Sequence, residues 1–288
     1  MQARALVSGI SRGTESLVFN GRVPRSEWQR MRCPFQEGDF PYPVKYGYAM
    51  VAEGLSGDMA GRRLFALHPH QSLFNLPAEA AIPVPDEVPT DRAALAPQME
   101  TALNANWDAD LKPGEHVAVV GAGVIGLLTA YLAARSAEVT VIDINPHRRA
   151  IAEHLGLRFS ADESAPKDCR TVFHTSASPE GLKLALTLCA FEGQVIELSW
   201  FGDKHPTVEL GGSFHSQRLT LKASQVGAVS PSRRAEHDFT SRLTEALSLC
   251  ADPRLDALVR ASTPFAELPS RMEGILTDTE TLCHLIRY

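Results

Sequence analysis

The sequence predicts an α/β protein in two parts, a β-rich domain over residues 1–92 with 232–288 and a doubly wound parallel sheet over 93–231. Three observations point there. Up to residue 92 the chain is rich in Gly and Pro, carries short strand-like runs such as Ala49 to Ala52 and Arg63 to Leu67, and shows little helical periodicity. From Thr90 onward, helical and strand patterns alternate, which places helices over a parallel sheet. Within the second part lies "VAVVGAGVIGLLTAYLAA", Val117 to Ala134, an uncharged stretch that is best divided at its glycines.

That division sets the elements in order. The stretch "DRAALAPQMETALNANWDA" has helical composition. "HVAVVG" is a β-branched run ended by Gly121, "GVIGLLTAYLAA" is a helix, and "EVTVIDI" is the next strand. Strand, turn, helix and strand within about thirty residues make a βαβ unit, so the apolar stretch is not read as a membrane span. "HRRAIAEHLG", "TVFHTS", "PEGLKLALTLCA" and "GQVIELS" continue the alternation. Beyond Pro231 one amphipathic helix is expected, with Phe239, Leu243, Leu247 and Cys250 on one face.

With 288 residues, of which 44% are hydrophobic, the chain can bury a large core. A net charge of −6 without a Lys/Arg run excludes a basic field for nucleic acid or an anionic membrane, which leaves a small-molecule substrate. The five cysteines, at 33, 169, 189, 250 and 283, are odd in number and widely spaced, as for unpaired thiols in a reducing cytoplasm. The N-terminal segment has no secretory h-region, which agrees with a cytoplasmic location.

The strongest functional signal is Gly121-Ala122-Gly123-Val124-Ile125-Gly126. Gly121 permits a tight turn, Gly123 lets the backbone approach a pyrophosphate, and Gly126 lets the helix pack close to the strand. Val124 and Ile125 open the helix whose free N–H groups and dipole favour the anion. Asp143 ends the next strand, where a carboxylate accepts from both adenosine ribose hydroxyls and repels a 2′-phosphate. Arg148 and Arg149 stand nearby and soften that repulsion. The expected cofactor is therefore NAD(H), with NADP(H) second. Thr175 and Ser199, at the ends of two later strands, complete the candidate cofactor contacts.

The junction "LKPGEHVAVVGAGVIG", the segment Ser8-Gly9-Ile10, the run "GRRLFALHPHQSLFNLP" and "FAELPSRMEGI" together resemble the medium-chain dehydrogenase/reductase superfamily, the alcohol dehydrogenase relatives, over nearly the whole chain. Within it, "SGISRGTESLVFNGRVP" looks most like the bacteriochlorophyllide dehydrogenase type. The resemblance implies a GroES-like catalytic domain, N-terminally short against the family pattern, followed by a Rossmann domain. It also implies a homodimer that pairs late edge strands, for which "HPTVELGG" and "RLTLKAS" are the candidates.

Members with catalytic zinc supply a Cys after the "SGI" stretch, a His in a Gly-His-Glu run, and a third Cys or Glu before the nucleotide domain. Here those places hold Ser11, Tyr48 after Gly47, and Pro97 or Glu100. No soft-ligand set remains, so no zinc is expected. His68 and His70 read as a pair of satisfied loop histidines rather than a metal site. In place of zinc, Tyr48 is the candidate donor to the substrate oxygen, with Lys45 three residues before it as a cation that would lower its pKa. Thr14, with Glu15, matches the Thr-Asp of the family's proton path, and Glu100 begins a helix expected to abut the cofactor. Against these roles stand simpler ones: Tyr48 as an aromatic filler, Lys45 as a solvated residue, Glu100 as a helix N-terminal charge. The expected activity is hydride transfer between NAD(H) and an alcohol, ketone or activated alkene without zinc. The alternative is a dinucleotide-binding protein without turnover.

Overall fold

The structure, a computed structural model, describes residues 1–161 and 165–288. The chain forms two compact units, Met1–Pro97 with Leu243–Tyr288, and Gln98–Arg242. Their folds are a GroES-like, mainly antiparallel sheet and a Rossmann-like parallel sheet, the mixed α/β class the sequence predicts.

In the first unit seven strands form one sheet, in the order Ala261–Pro264, His284–Arg287, Gln2–Ile10, Met50–Gly54, Arg63–Ala66, Ile82–Pro83, with Leu73–Asn75 also paired to Gln2–Ile10. The strand Gln2–Ile10 takes its place by alternation at its start: Ala3 and Ala5 are buried, and with Met50, Ala52, Leu64 and Phe74 they build one core. Ile10, Ile275, Leu276 and Ile286 form a second.

The helix Arg12–Phe19 is an element that the β-rich reading of the first domain, with its little helical periodicity, does not single out. Its sequence, RGTESLVF, hides the apolar period because only Leu17 and Val18 are apolar and buried. Its start is held by the Glu15 carboxylate, which accepts the Ser11 N–H at 2.8 Å.

The second unit carries six parallel strands, in the order Arg158–Ser160, Glu138–Ile142, His116–Val120, Cys169–His174, Cys189–Glu197, Thr220–Ala223. Their carboxyl ends are level, since Val120 pairs with Ile142 and His174, His174 with Glu197, and Glu197 with Ala223. The helix Pro179–Leu188 sets Leu182, Ala185, Leu186 and Leu188 against Val172, Val195 and Cys189, and each fully buried leucine is worth about 1.5–3 kcal/mol. The apolar stretch at 117–134 is the strand His116–Val120 and the helix Val124–Ala133. Among the described residues no helix is long and apolar enough to cross a membrane.

Two sequence expectations are corrected here. "HPTVELGG", residues 205–212, forms no strand, because Pro206 lacks an N–H for the ladder and Gly211 and Gly212 weaken any extended pairing; the edge strand is Thr220–Ala223 alone. The helix Phe239–Leu249 buries Leu243 and Leu247, with Cys250 just past its end, but leaves Phe239 56% exposed and buries Arg242 instead.

Candidate functional site

The glycine loop sits at the carboxyl end of the strand His116–Val120. Gly121 has φ +110°, and a Cβ there would meet the Thr175 Oγ1 at 2.7 Å. A Cβ on Gly126 would lie 1.9 Å from the Gly121 carbonyl oxygen, so only glycine lets this helix start against the turn. At Gly123 a Cβ meets no heavy atom within 4 Å, which leaves open space beside the helix N-terminus. Val124 and Ile125 begin that helix with Gly123 as its N-cap. This is a cradle that fits a pyrophosphate.

Two neighbours fix the loop. The Thr175 hydroxyl donates to the carbonyls of Val120 and Gly121, at 3.1 and 2.9 Å. Asp143 accepts the Ala122 N–H at 2.6 Å on one carboxylate oxygen and the Asn145 N–H at 2.8 Å on the other. A carboxylate offers about four lone-pair sites, so Asp143 retains acceptor capacity for a ribose diol while it clamps the loop. Arg148 is buried, and Arg149 lies 4.8 Å over the Phe159 ring, with Glu153 at 3.7 Å.

Ser199 stands in a cluster that residue spacing did not reveal. The His174 Nδ1 lies 2.7 Å from the Glu197 carboxylate, and its Nε2 lies 2.7 Å from the Ser176 Oγ. The Ser199 N–H donates to Glu197 at 2.7 Å, and the Ser199 Oγ accepts the Ala177 N–H at 3.0 Å. The available signal was that adjacent parallel strands end, in register, on a histidine and a glutamate.

In the first unit, Tyr48 is half-buried, and its hydroxyl is hydrogen-bonded to the side chains of Ser11 and Thr14. Burial pushes its pKa up to about 12, and Glu15 and Cys33 push in the same direction while the two hydroxyls oppose it. The expected lowering by Lys45 is therefore corrected: the Lys45 ammonium pairs with Glu37 at 2.6 Å, across the hairpin it belongs to, and donates to the Gln71 Oε1 at 3.1 Å. Beneath the hydroxyl cluster, the Glu15 carboxylate meets the His70 Nε2 at 3.0 Å, the His70 Nδ1 meets the Ser8 Oγ at 2.8 Å, and Ser8 meets the Tyr288 hydroxyl at 2.9 Å. His68 is stacked between Phe35 and Phe74, so the two histidines serve separate contacts.

Glu100 is buried in the second unit against Arg242, at 3.0 Å. Desolvation raises its pKa against the opposing pull of Arg242. This corrects its candidate role, since both groups are spent on holding the helix Ala96–Ala109 to the segment around Arg242. Among the described residues no group of three His, Cys, Asp or Glu side chains is placed to hold a metal. Burial holds the Cys33 thiol, which acts on Tyr48 electrostatically, at about 12, so this cysteine is a poor source of thiolate. The places where the resemblance puts zinc ligands hold the hydroxyls of Ser11 and Tyr48 and, third, Pro97 or the Glu100 carboxylate that is paired with Arg242, a set without thiolate or imidazole that does not fit that metal.

No family model matches the chain. It is 25% identical over 215 residues to a zinc-type alcohol dehydrogenase-like protein of Haemophilus influenzae, itself uncharacterised, covering 69% of this chain and 59% of that protein. It is 34% identical over 115 residues to an L-threonine 3-dehydrogenase of Rhizobium rhizogenes, covering 39% of this chain and 33% of the enzyme. The chain thus spans about three fifths of the first relative and one third of the second. Among the solved structures that share the fold are one described as a short chain alcohol dehydrogenase, from Escherichia coli CFT073, complexed with NADH (TM-score 0.76, 15% identity, covering 100% of this chain and 91% of that one) and a putative zinc-binding dehydrogenase from Sinorhizobium meliloti 1021 bound to NADP (0.77, 17%, 100% and 92%).

Proposed function

The homologues and structural neighbours of this chain are those of the medium-chain, alcohol dehydrogenase-like superfamily, and on that premise we propose a nicotinamide-dinucleotide oxidoreductase that moves hydride to or from a small alcohol or ketone without catalytic zinc. The observation that carries the reading is the open glycine cradle of the second unit, clamped by Asp143 and Thr175; the first unit adds a hydroxyl cluster at positions where the resemblance places a metal. The dinucleotide supplies the hydride acceptor or donor. Gly123 gives the pyrophosphate its approach, and Asp143 takes the adenosine ribose. Tyr48 donates to the substrate oxygen; with its pKa near 12 it acts as a protonated donor rather than a base. Ser11 and Thr14 orient that hydroxyl.

NADH is expected to bind at least about tenfold more tightly than NADPH, because a 2′-phosphate would face the Asp143 carboxylate with Arg149 already engaged on Phe159 and Glu153. Fluorescence titration with both reduced cofactors checks this, and tighter NADPH binding sinks the Asp143 assignment. Purified protein is expected to carry no stoichiometric zinc. Elemental analysis that finds near one zinc per chain, surviving chelation, would overturn the metal-free part. If NADH binds but no alcohol, ketone or enone is turned over, the chain is a dinucleotide-binding protein, in which the Tyr48 hydroxyl serves only Ser11 and Thr14.

A further inference from the structure

We propose that Ser176, polarised by His174 and Glu197, is a built hydrogen-bond acceptor for a ribose hydroxyl of the nicotinamide half of the dinucleotide; the inference rests on the dinucleotide reading above. His174 is fully buried, Glu197 is largely buried, and Ser176 is exposed at the carboxyl edge of the sheet.

The direction of the protons follows from the partners. Glu197 accepts the Ser199 N–H and faces the His174 Nδ1 at 2.7 Å, which makes Nδ1 the donor and, in the neutral tautomer that this selects, leaves Nε2 with its lone pair. The Ser176 hydroxyl, 2.7 Å from Nε2, then spends its proton on His174. Of its two oxygen lone pairs, one faces the Ser178 N–H at 3.4 Å and the other remains for a ligand. A hydroxyl so arranged accepts well from another hydroxyl and offers nothing to a phosphate.

The trio has the order of an acyl-transfer site, but the backbone around it is not laid out for an oxyanion. The Ala177 N–H is taken by Ser199, the Gly181 N–H by Ser178, residue 179 is proline, and the Ser178 N–H faces the Ser176 oxygen itself at 3.4 Å. The same crowding is built in at Gly181, where a Cβ would lie 2.2 Å from the Ser176 Oγ and 3.0 Å from the His174 Nε2. The helix Pro179–Leu188 thus closes over the pair and fixes Ser176 in one orientation.

Position assigns the ligand half. In the sheet order the strand ending at Asp143 lies on one side of the glycine-loop strand, and the strand ending at His174 lies on the other. With the adenosine ribose at Asp143 and the pyrophosphate over Gly123, the second riboside runs toward Ser176.

The test is calorimetric titration with NADH and with ADP, which lacks the second riboside. Ser176→Ala is expected to weaken NADH about tenfold, the worth of one hydrogen bond, and to leave ADP unchanged. Ser176→Thr keeps the hydroxyl and should restore NADH affinity. Glu197→Gln frees the histidine to carry its proton on Nε2, so it should weaken NADH to a similar degree although Ser176 is intact. Equal NADH affinity in Ser176→Ala and the parent overturns the inference alone. Equal loss of NADH and ADP affinity would mark a collapsed turn and overturn it too. A parent that binds neither ligand overturns the dinucleotide reading with it.

Discussion

Substituting leucine for Arg242 is expected to destabilise the protein by about 3–5 kcal/mol, the cost typical of breaking a buried ion pair from one side. The guanidinium is 1% exposed and donates to Glu100 at 3.0 Å, to Asn104 at 2.7 Å, and to the carbonyls of Ala228 and Val226 at 3.1 and 2.5 Å. Leucine fills part of the volume and leaves all four acceptors without that donor, one of them a carboxylate that burial already holds above its ordinary value of 4.5. A raised folded-state pKa means stability that is present at low pH and lost as pH rises through the folded value. Without the cation the rise is larger, so the deficit of the variant should be small near pH 4.5 and grow toward neutrality. Urea denaturation across that range checks both size and slope. The double variant Glu100→Gln with Arg242→Leu should recover part of the loss, because no orphan charge remains. A deficit independent of pH, or a double variant no better than Arg242→Leu, would show that packing rather than charge is at stake.

That same arginine marks where local reading of the sequence stops. A helix over Phe239–Leu249 is plain from its period, and Leu243 and Leu247 are buried as the period requires. The buried face is nevertheless turned toward Arg242 and Ala246, away from Phe239, because the partner that makes burial of Arg242 tolerable is Glu100, 142 positions earlier. Periodicity measures apolarity along one element and carries no information about a distant carboxylate. The βαβ unit at 116–142 was legible for the opposite reason: its glycines act on their immediate neighbours, as the contact of Gly126 with Gly121 shows. The strand Cys169–His174 was also legible, yet the bond from its last residue to Glu197 was not, since alternation sorts faces of a strand and does not pair side chains across strands. The helix Arg12–Phe19 fell below detection because it is amphipathic only at its end, and Lys45 was misjudged because the ion pair with Glu37 belongs to a hairpin whose register the sequence leaves open.

Tyr48→Phe is expected to lower turnover about a hundredfold or more, once a substrate is found, while NADH binds as in the parent. The ring packs edge-on to Tyr46 at 6.0 Å, and phenylalanine keeps that contact. What it removes is the hydroxyl, together with its bonds to Ser11 and Thr14, at a stability cost of about 1 kcal/mol because those two hydroxyls lie at a half-buried site. The large effect arises only if the donor is aimed at an oxygen that gains negative charge in the transition state, where one lost donor is worth about 3–4 kcal/mol. Loss should then appear in kcat and in kcat/KM together, as for an interaction made only in the transition state. Since burial holds Tyr48 at about 12, the donor stays protonated throughout the ordinary assay range, and the parent's rate of carbonyl reduction should show no break from this group below that pH. Ser11→Ala and Thr14→Ala should each reduce the rate less than Tyr48→Phe, as befits groups that orient the hydroxyl without touching the substrate. A Tyr48→Phe variant with nearly unchanged kcat and a stability loss near 1 kcal/mol would assign the ring to packing and its hydroxyl to Ser11 and Thr14 alone.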